Sequence, residues 1–202
     1  KQKTAYEISL GLVGSEMCIR DSDNITPDIL ILGKGLTGGY LPLSATITTQ
    51  NIFDAFLGDY DELKTFFHGH SYSGNPLSCA AAIANLEIFE KNNTLLKLQD
   101  KIQLFENELR EFNGLKSVSE IRNKGLMAGI DLVKNKNTGE KFSLKDRVGK
   151  QVCDSALKEG ILLRPLGDTI VLMPPISIND SEIKKLTKAT YKAIKDVTEK
   201  NV

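Results

Sequence analysis

From Pro27 onward, short apolar runs alternate with longer amphipathic stretches, and the spacing of apolar positions assigns an element to each. Asp28-Ile-Leu-Ile-Leu32 is a compact apolar run closed by Gly33, which predicts a buried strand. Leu43 to Thr49 predicts a second strand, with Thr46, Thr48 and Thr49 supplying β-branched residues. Between them, Gly33 to Pro42 holds four glycines and a proline, which exclude a long regular element and leave a shaped loop. Asn75-Pro76 pairs an N-cap residue with proline at the first helical position, and the alanine-rich run to Lys91 continues as a helix expected to bury a broad face. Leu98, Ile102, Phe105, Leu109 and Phe112 then recur at helical steps, ending near Asn113-Gly114.

Beyond that point Val118 to Arg122 and Leu126 to Val133 predict strands, and Leu144 to Lys158 a helix. Ile161 to Arg164 and Thr169 to Leu172 come next as strands, and Glu182 to Lys200 as a final helix with Ile183, Leu186, Thr190, Ile194 and Val197 on one face. This succession opens a separate small α/β domain, residues 115–202, after a first unit spanning 23–114. The first 22 residues show no sustained period and no clear turn into the strand at Asp28, so they read as a foreign or mistranslated leader rather than a genuine irregular segment.

Composition narrows the partners. Equal numbers of basic and acidic residues, 26 of each, give no positive field of the kind that gathers nucleic acid or anionic membrane. A small molecule or a second copy of the chain is the expected partner. Cys18, Cys79 and Cys153 are far apart, with neither a paired framework nor metal-binding spacing, which fits a reducing compartment and a cytoplasmic address. The apolar runs are too short to span a membrane, and the N-terminus lacks the compact apolar core of a signal peptide.

Chemistry concentrates at three places. Lys34 stands directly after an apolar strand among glycines, where open α/β sheets bind ligands. Packing of its stem would desolvate the amine, and only a neutral amine attacks a carbonyl to form a Schiff base; the alternative is a surface lysine beside a glycine turn. The same segment, Gly33 to Gly38, also satisfies G-x-G-x-x-G, so a dinucleotide-binding module stays open, although Gly39 and Pro42 break the helix such a site needs.

The second place is Phe66-Phe-His-Gly-His-Ser-Tyr-Ser-Gly-Asn-Pro76, which holds both histidines of the chain. Two histidines cannot by themselves make a closed metal site, and no Cys, Asp or Glu accompanies them at helical spacing, so no metal is expected. Ser71, in a glycine-containing loop before a helix, suits a phosphate, with plain capping and turn formation as the alternative. The third place is Arg164, between Ile161-Leu-Leu163 and Pro165; it is fit either for bidentate pairing with a carboxylate or for an exposed ion pair.

Taken together, these segments resemble the class III aminotransferases. Pro27 to Ala45, PDILILGKGLTGGYLPLSA, is similar to that family's cofactor-lysine segment. Phe67 to Pro76, Leu162 to Gly167 and Val171 to Pro175 are similar to the branch that aminates 8-amino-7-oxononanoate to 7,8-diaminononanoate, a biotin precursor. The resemblance runs from about Asp23 to the end. It implies an α/β fold: part of an aspartate-aminotransferase-like large domain (pyridoxal-phosphate fold type I), followed by a small C-terminal domain.

The resemblance also implies pyridoxal 5'-phosphate as cofactor, Lys34 as the catalytic lysine that binds it and shuttles a proton, and His70 and Ser71 at the cofactor phosphate. Gly69 would line the substrate site, and Arg164 would bind the carboxylate of the oxononanoate. A homodimer is implied, with the His70–Ser71 loop serving the neighbouring subunit. S-adenosylmethionine is the donor the branch implies, and lysine stays open because His68-Gly-His-Ser-Tyr72 is also similar to lysine-using members. Another class III ω-aminotransferase is the alternative activity.

One departure limits the chain itself. The family's aspartate against the pyridinium nitrogen would fall near Ala5, where no Asp-Glu motif stands, and the upstream phosphate loop and stacking aromatic are absent. The full-length parent is therefore expected to be the enzyme, and this chain alone to be inactive or nearly so.

Overall fold

The computed structural model describes residues 26–199; the expected leader lies outside them. The chain divides into two compact units between Leu96 and Lys97.

In the first unit, strand β1 (Ile29–Leu32) leads into a single 3-10 turn, Lys34–Thr37, and then into strand β2 (Ala45–Thr48). The two strands pair antiparallel, Ile29 opposite Thr48 and Leu32 opposite Ala45. Helix α1 (Gln50–Asp54) and a second 3-10 turn, Tyr60–Glu62, precede the long loop to helix α2 (Pro76–Lys91). Asn75 caps α2 as expected, its side-chain oxygen accepting from the backbone N–H groups of Leu77 and Ser78 at 3.0 and 3.3 Å.

The expected broad burial of α2 is not observed. Ser78, Ala82 and Phe89 are buried, with Asn85 partly buried between them, whereas Leu77, Ile83 and Ile88 stand exposed. Positions 78, 82, 85 and 89 follow the spacing of one helical seam, so a single stripe is covered. Among the described residues, the stripe meets the small cluster of Leu32, Leu36 and Ala82, flanked by Leu30, Leu43 and Leu86, where a two-stranded sheet and the Lys34 turn pack on the helix.

The second unit has a full core. Helix α3 (Thr94–Arg110), which enters it from Lys97, ends in a 3-10 turn, Glu111–Gly114. Strands β3 (Val118–Lys124) and β4 (Met127–Leu132), helix α4 (Val148–Lys158), strands β5 (Arg164–Leu166) and β6 (Thr169–Leu172), and helix α5 (Asp180–Thr198) complete it. The sheet order is β3-β4-β6-β5, every pair antiparallel. Strand β4 alternates cleanly between buried and half-buried positions, as a strand with one covered face must. Phe105, Leu109, Ile130, Val152, Ile170, Leu172, Ile183 and Ile194 meet in one apolar cluster. Phe105 and Leu109 lie before Gly114, so the helix assigned from sequence to the first unit supplies core to the second.

Among the expected boundaries that shift are the starts of α4 and β5. Helix α4 begins at Val148 rather than Leu144, because Arg147 takes a left-handed φ of 49° that no preceding helical turn can share. The strand expected at Ile161 to Arg164 instead starts at Arg164. The Leu166–Thr169 turn fixes Arg164 opposite Val171, and Pro174 and Pro175, which lack N–H donors, prevent the ladder from continuing toward Ile161.

Candidate active site

Lys34 begins the turn that leaves β1. Gly33 before it is extended, and Lys34 itself has a left-handed φ of 46°, unusual for a residue with a side chain. Such a conformation persists only where its surroundings hold it, and it concentrates at working sites. Leu36 and Thr37, the last two residues of the turn, are buried. Leu36 N–H donates to Gly33 O and Gly38 N–H to Gly35 O, both at 3.0 Å, while the Thr37 hydroxyl donates to Leu41 O.

Lys34, Gly39, Tyr40, Leu41, Pro42 and Ser44 border a cavity of about 700 Å³. The lysine is exposed, so the packing expected to desolvate its amine is not supplied by the described residues. The dinucleotide alternative loses its frame. Its fingerprint requires a crossover helix to a parallel strand, whereas one 3-10 turn leads here to an antiparallel neighbour.

The histidine loop is built from turns. Ser73 Oγ accepts from His70 N–H at 3.0 Å, Ser73 N–H donates to His70 O, and Asn75 N–H donates to Tyr72 O. The rings of Phe56, Phe66, His68 and His70 succeed one another with centroids 5.2 to 5.5 Å apart. Capping of α2 falls to Asn75 and turn closure to Ser73, so neither task uses the Ser71 hydroxyl. The first amides of α2 are likewise taken by Asn75, which shifts any phosphate contact from the helix end to the loop itself. His70 and Ser71 are exposed and do not line the cavity beside Lys34. A Cβ on Gly69 would meet nothing within 4 Å. Among the described residues no three His, Cys, Asp or Glu side chains gather as a metal site would require.

Residues 9–194 match the aminotransferase class-III family. The chain belongs to that family. Among relatives of this class-III chain, the adenosylmethionine-8-amino-7-oxononanoate aminotransferase of Methanocaldococcus jannaschii is 51% identical over 84% of the chain and 37% of that protein. The enzyme of the same name from Aquifex aeolicus is 49% identical over 88% of the chain and 39% of its own length. The crystal structure of the M. jannaschii protein superposes with a TM-score of 0.84 at 47% identity, covering 94% of this chain and 43% of that one. The class-III chain thus spans about two fifths of the length of the relatives it matches. The family match begins at residue 9, within the stretch read as a leader.

Arg164 opens β5 in the second unit of the class-III chain, on the edge of its sheet. Its side chain is exposed and borders a cavity of about 950 Å³ whose other walls include Leu162, Leu166, Val171, Met173 and Pro174. A guanidinium at the rim of an aliphatic wall suits a carboxylate attached to a hydrocarbon chain. The named cavity walls lie within segments already singled out, Pro27 to Ala45, Leu162 to Gly167 and Val171 to Pro175, whereas sequence reading missed Asn85, whose side-chain amide donates to Gly35 O and Leu36 O. An asparagine within an alanine-rich helix, costly for the helix by propensity, was the available signal for it.

Proposed function

We propose that the full-length protein is a pyridoxal-phosphate-dependent aminotransferase that aminates 8-amino-7-oxononanoate. The observation that carries this reading is Lys34: a lysine held with a left-handed backbone at the end of β1, beside a cavity, in a chain of the class-III family. Two relatives bearing the oxononanoate name, near half identical to the chain, support the substrate.

The residues present fit the cofactor. A primary amine borders an open cavity whose wall at Gly39 leaves room beyond the backbone, and a hydroxyl at Ser71 is committed to neither capping nor turn closure. Pyridoxal phosphate, when bound, supplies an aldehyde that condenses with amines and a conjugated ring that takes up the electron pair released at the substrate carbon. Lys34 Nζ then holds the cofactor between turnovers and, once released, takes and returns the proton at the substrate carbon. Ser71 and His70 are assigned to the phosphate, Gly69 to the substrate site, and Arg164 to the carboxylate of the keto acid.

The exposure of the His70–Ser71 loop and its absence from the Lys34 cavity favour a contribution to a second subunit, hence a homodimer. The first compact unit, ending at Leu96, is assigned to the large cofactor domain and the second, from Lys97 onward, to the small domain, so the boundary falls within α3 rather than at Gly114. S-adenosylmethionine is the preferred donor on the names of the relatives, with lysine as the competitor to test beside it. No helix among the described residues is long and apolar enough to cross a membrane, and Cys79 and Cys153 are free thiols, both compatible with a cytoplasmic enzyme. The deciding experiment replaces Lys34 by alanine in the full-length protein and measures both transamination and reductive trapping of pyridoxal phosphate by peptide mapping. Loss of both is expected; retained turnover would overturn the assignment.

A further inference from the structure

Helix α2 carries Asn85 in the middle of an alanine-rich stretch, where asparagine is a poor helix former. It lies in the one stripe of the helix that packs inward, between Ala82 and Phe89. Its side-chain amide nitrogen donates to Gly35 O at 2.9 Å and to Leu36 O at 3.1 Å, two carbonyls that lie 50 and 49 residues earlier. On the same side, a Cβ placed on Gly38 would come within 3.3 Å of Asn85 Oδ1. One side chain therefore grips the 3-10 turn that begins at Lys34, and meets the glycine that ends it.

We propose that Asn85 is the positioning residue of Lys34, fixing from the helix the turn whose first residue carries the amine. The inference rests on the reading of Lys34 as the cofactor lysine. The physical argument concerns the left-handed φ of 46° at Lys34. That conformation is disfavoured for a residue with a Cβ, so the turn relaxes unless its carbonyls are held. The hydrogen bonds within the turn, from Leu36 and Gly38, are local and would follow it in relaxing; those from Asn85 anchor it to a separate element. The anchoring side chain must supply donors, because both targets are acceptors.

The test uses the full-length protein with Asn85→Leu, which keeps the volume and removes the donors, and Asn85→Asp, which sets a carboxylate against the two carbonyls. Hydrogen exchange is read by mass spectrometry in the peptide covering residues 34–40 and in β1 and β2. Pyridoxal phosphate is trapped with borohydride, and the fraction on Lys34 relative to other lysines is counted. With two hydrogen bonds removed, exchange in 34–40 should rise roughly tenfold or more while the strands stay protected, and the preference of the cofactor for Lys34 should fall. Unchanged exchange in both variants, or a loosened turn with undiminished trapping at Lys34, overturns the proposal. A rise throughout β1, β2 and α2 in both variants also overturns it, by showing a structural role alone. If the wild-type protein is not trapped at Lys34, the cofactor reading fails instead, and the exchange result still reports on the Asn85 clamp separately.

Discussion

The backbone N–H of Gly149 donates to Asp168 Oδ1 at 3.1 Å, so the tip of the β5–β6 hairpin caps the start of helix α4. The helix's own N-cap, Arg147, offers no side-chain hydrogen bond. Gly149 sits so close to the hairpin that an added Cβ would lie 2.1 Å from Gly167 O.

Gly149→Ala is accordingly expected to destabilise, against the helix-propensity trend. Alanine favours a helix interior by about 1 kcal/mol over glycine. Overpacking against a backbone carbonyl, which cannot swing away, costs about 1–3 kcal/mol and decides the sign. Asp168→Ala should cost about 1 kcal/mol through the lost cap, and Asp168→Asn less, since its amide oxygen still accepts. Urea unfolding of the three variants checks this; a stabilised Gly149→Ala protein would show that the hairpin yields at no cost.

Asp131 gives a pH dependence. Hydrogen bonds from Arg122, at 2.5 and 2.8 Å, hold its carboxyl below the ordinary value of 3.8; burial opposes this, and the Thr169 hydroxyl at 2.7 Å adds to it. The folded protein thus releases this proton at lower pH than the unfolded chain. The stabilisation is complete above the unfolded value and is lost as pH falls through the folded one. Urea midpoints between pH 6 and 3 should decline less steeply for Asp131→Asn than for the native chain. Equal slopes would assign the acid sensitivity to other carboxylates.

The two described cysteines should differ in reactivity. Burial pushes the Cys153 thiol up, the nearby Asp154 adds to this, and its sulfur lies in the core of the second unit. Cys79 is only partly buried. Alkylation at pH 8 followed by peptide mapping should label Cys79 in the native protein and Cys153 only after unfolding. Matching rates would mean that α4 opens far more readily than its packing implies.

Arg164 separates the two halves of the proposed reaction. Loss of a charge-assisted bidentate pair amounts to about 1.5–3 kcal/mol, so Arg164→Ala should lower kcat/KM for the oxononanoate roughly ten- to a hundredfold in the full-length protein. The donor half-reaction should be spared, and Arg164→Lys should recover little, because a point charge does not reproduce the planar fork. Equal slowing of both half-reactions would move Arg164 from substrate recognition to support of the fold.

Where local chemistry decides an element, the chain announced it. Asn75-Pro76 marks the start of α2; the Asn179–Glu182 capping box that starts α5 at Asp180 is equally local but is not read from the apolar pattern, which puts the start at Glu182. The Lys34 segment could be singled out as a shaped loop after a strand because glycines and a proline admit nothing else.

Other features depend on partners distant in sequence. The left-handed Lys34 is held by Asn85, the start of β5 is set by the turn at Gly167 and by Pro174, and the placement of α3 is set by which sheet its apolar face meets. Which stripe of α2 is covered likewise depends on the turn and strands it meets, not on its own pattern alone. Periodicity specifies that a face is apolar, and caps specify where a helix begins, because both are read within a few residues of one another. Which element covers that face, and which amide anchors a strained lysine, is decided only when segments some fifty residues apart come together, since packing is a property of pairs of surfaces and neither partner encodes it alone.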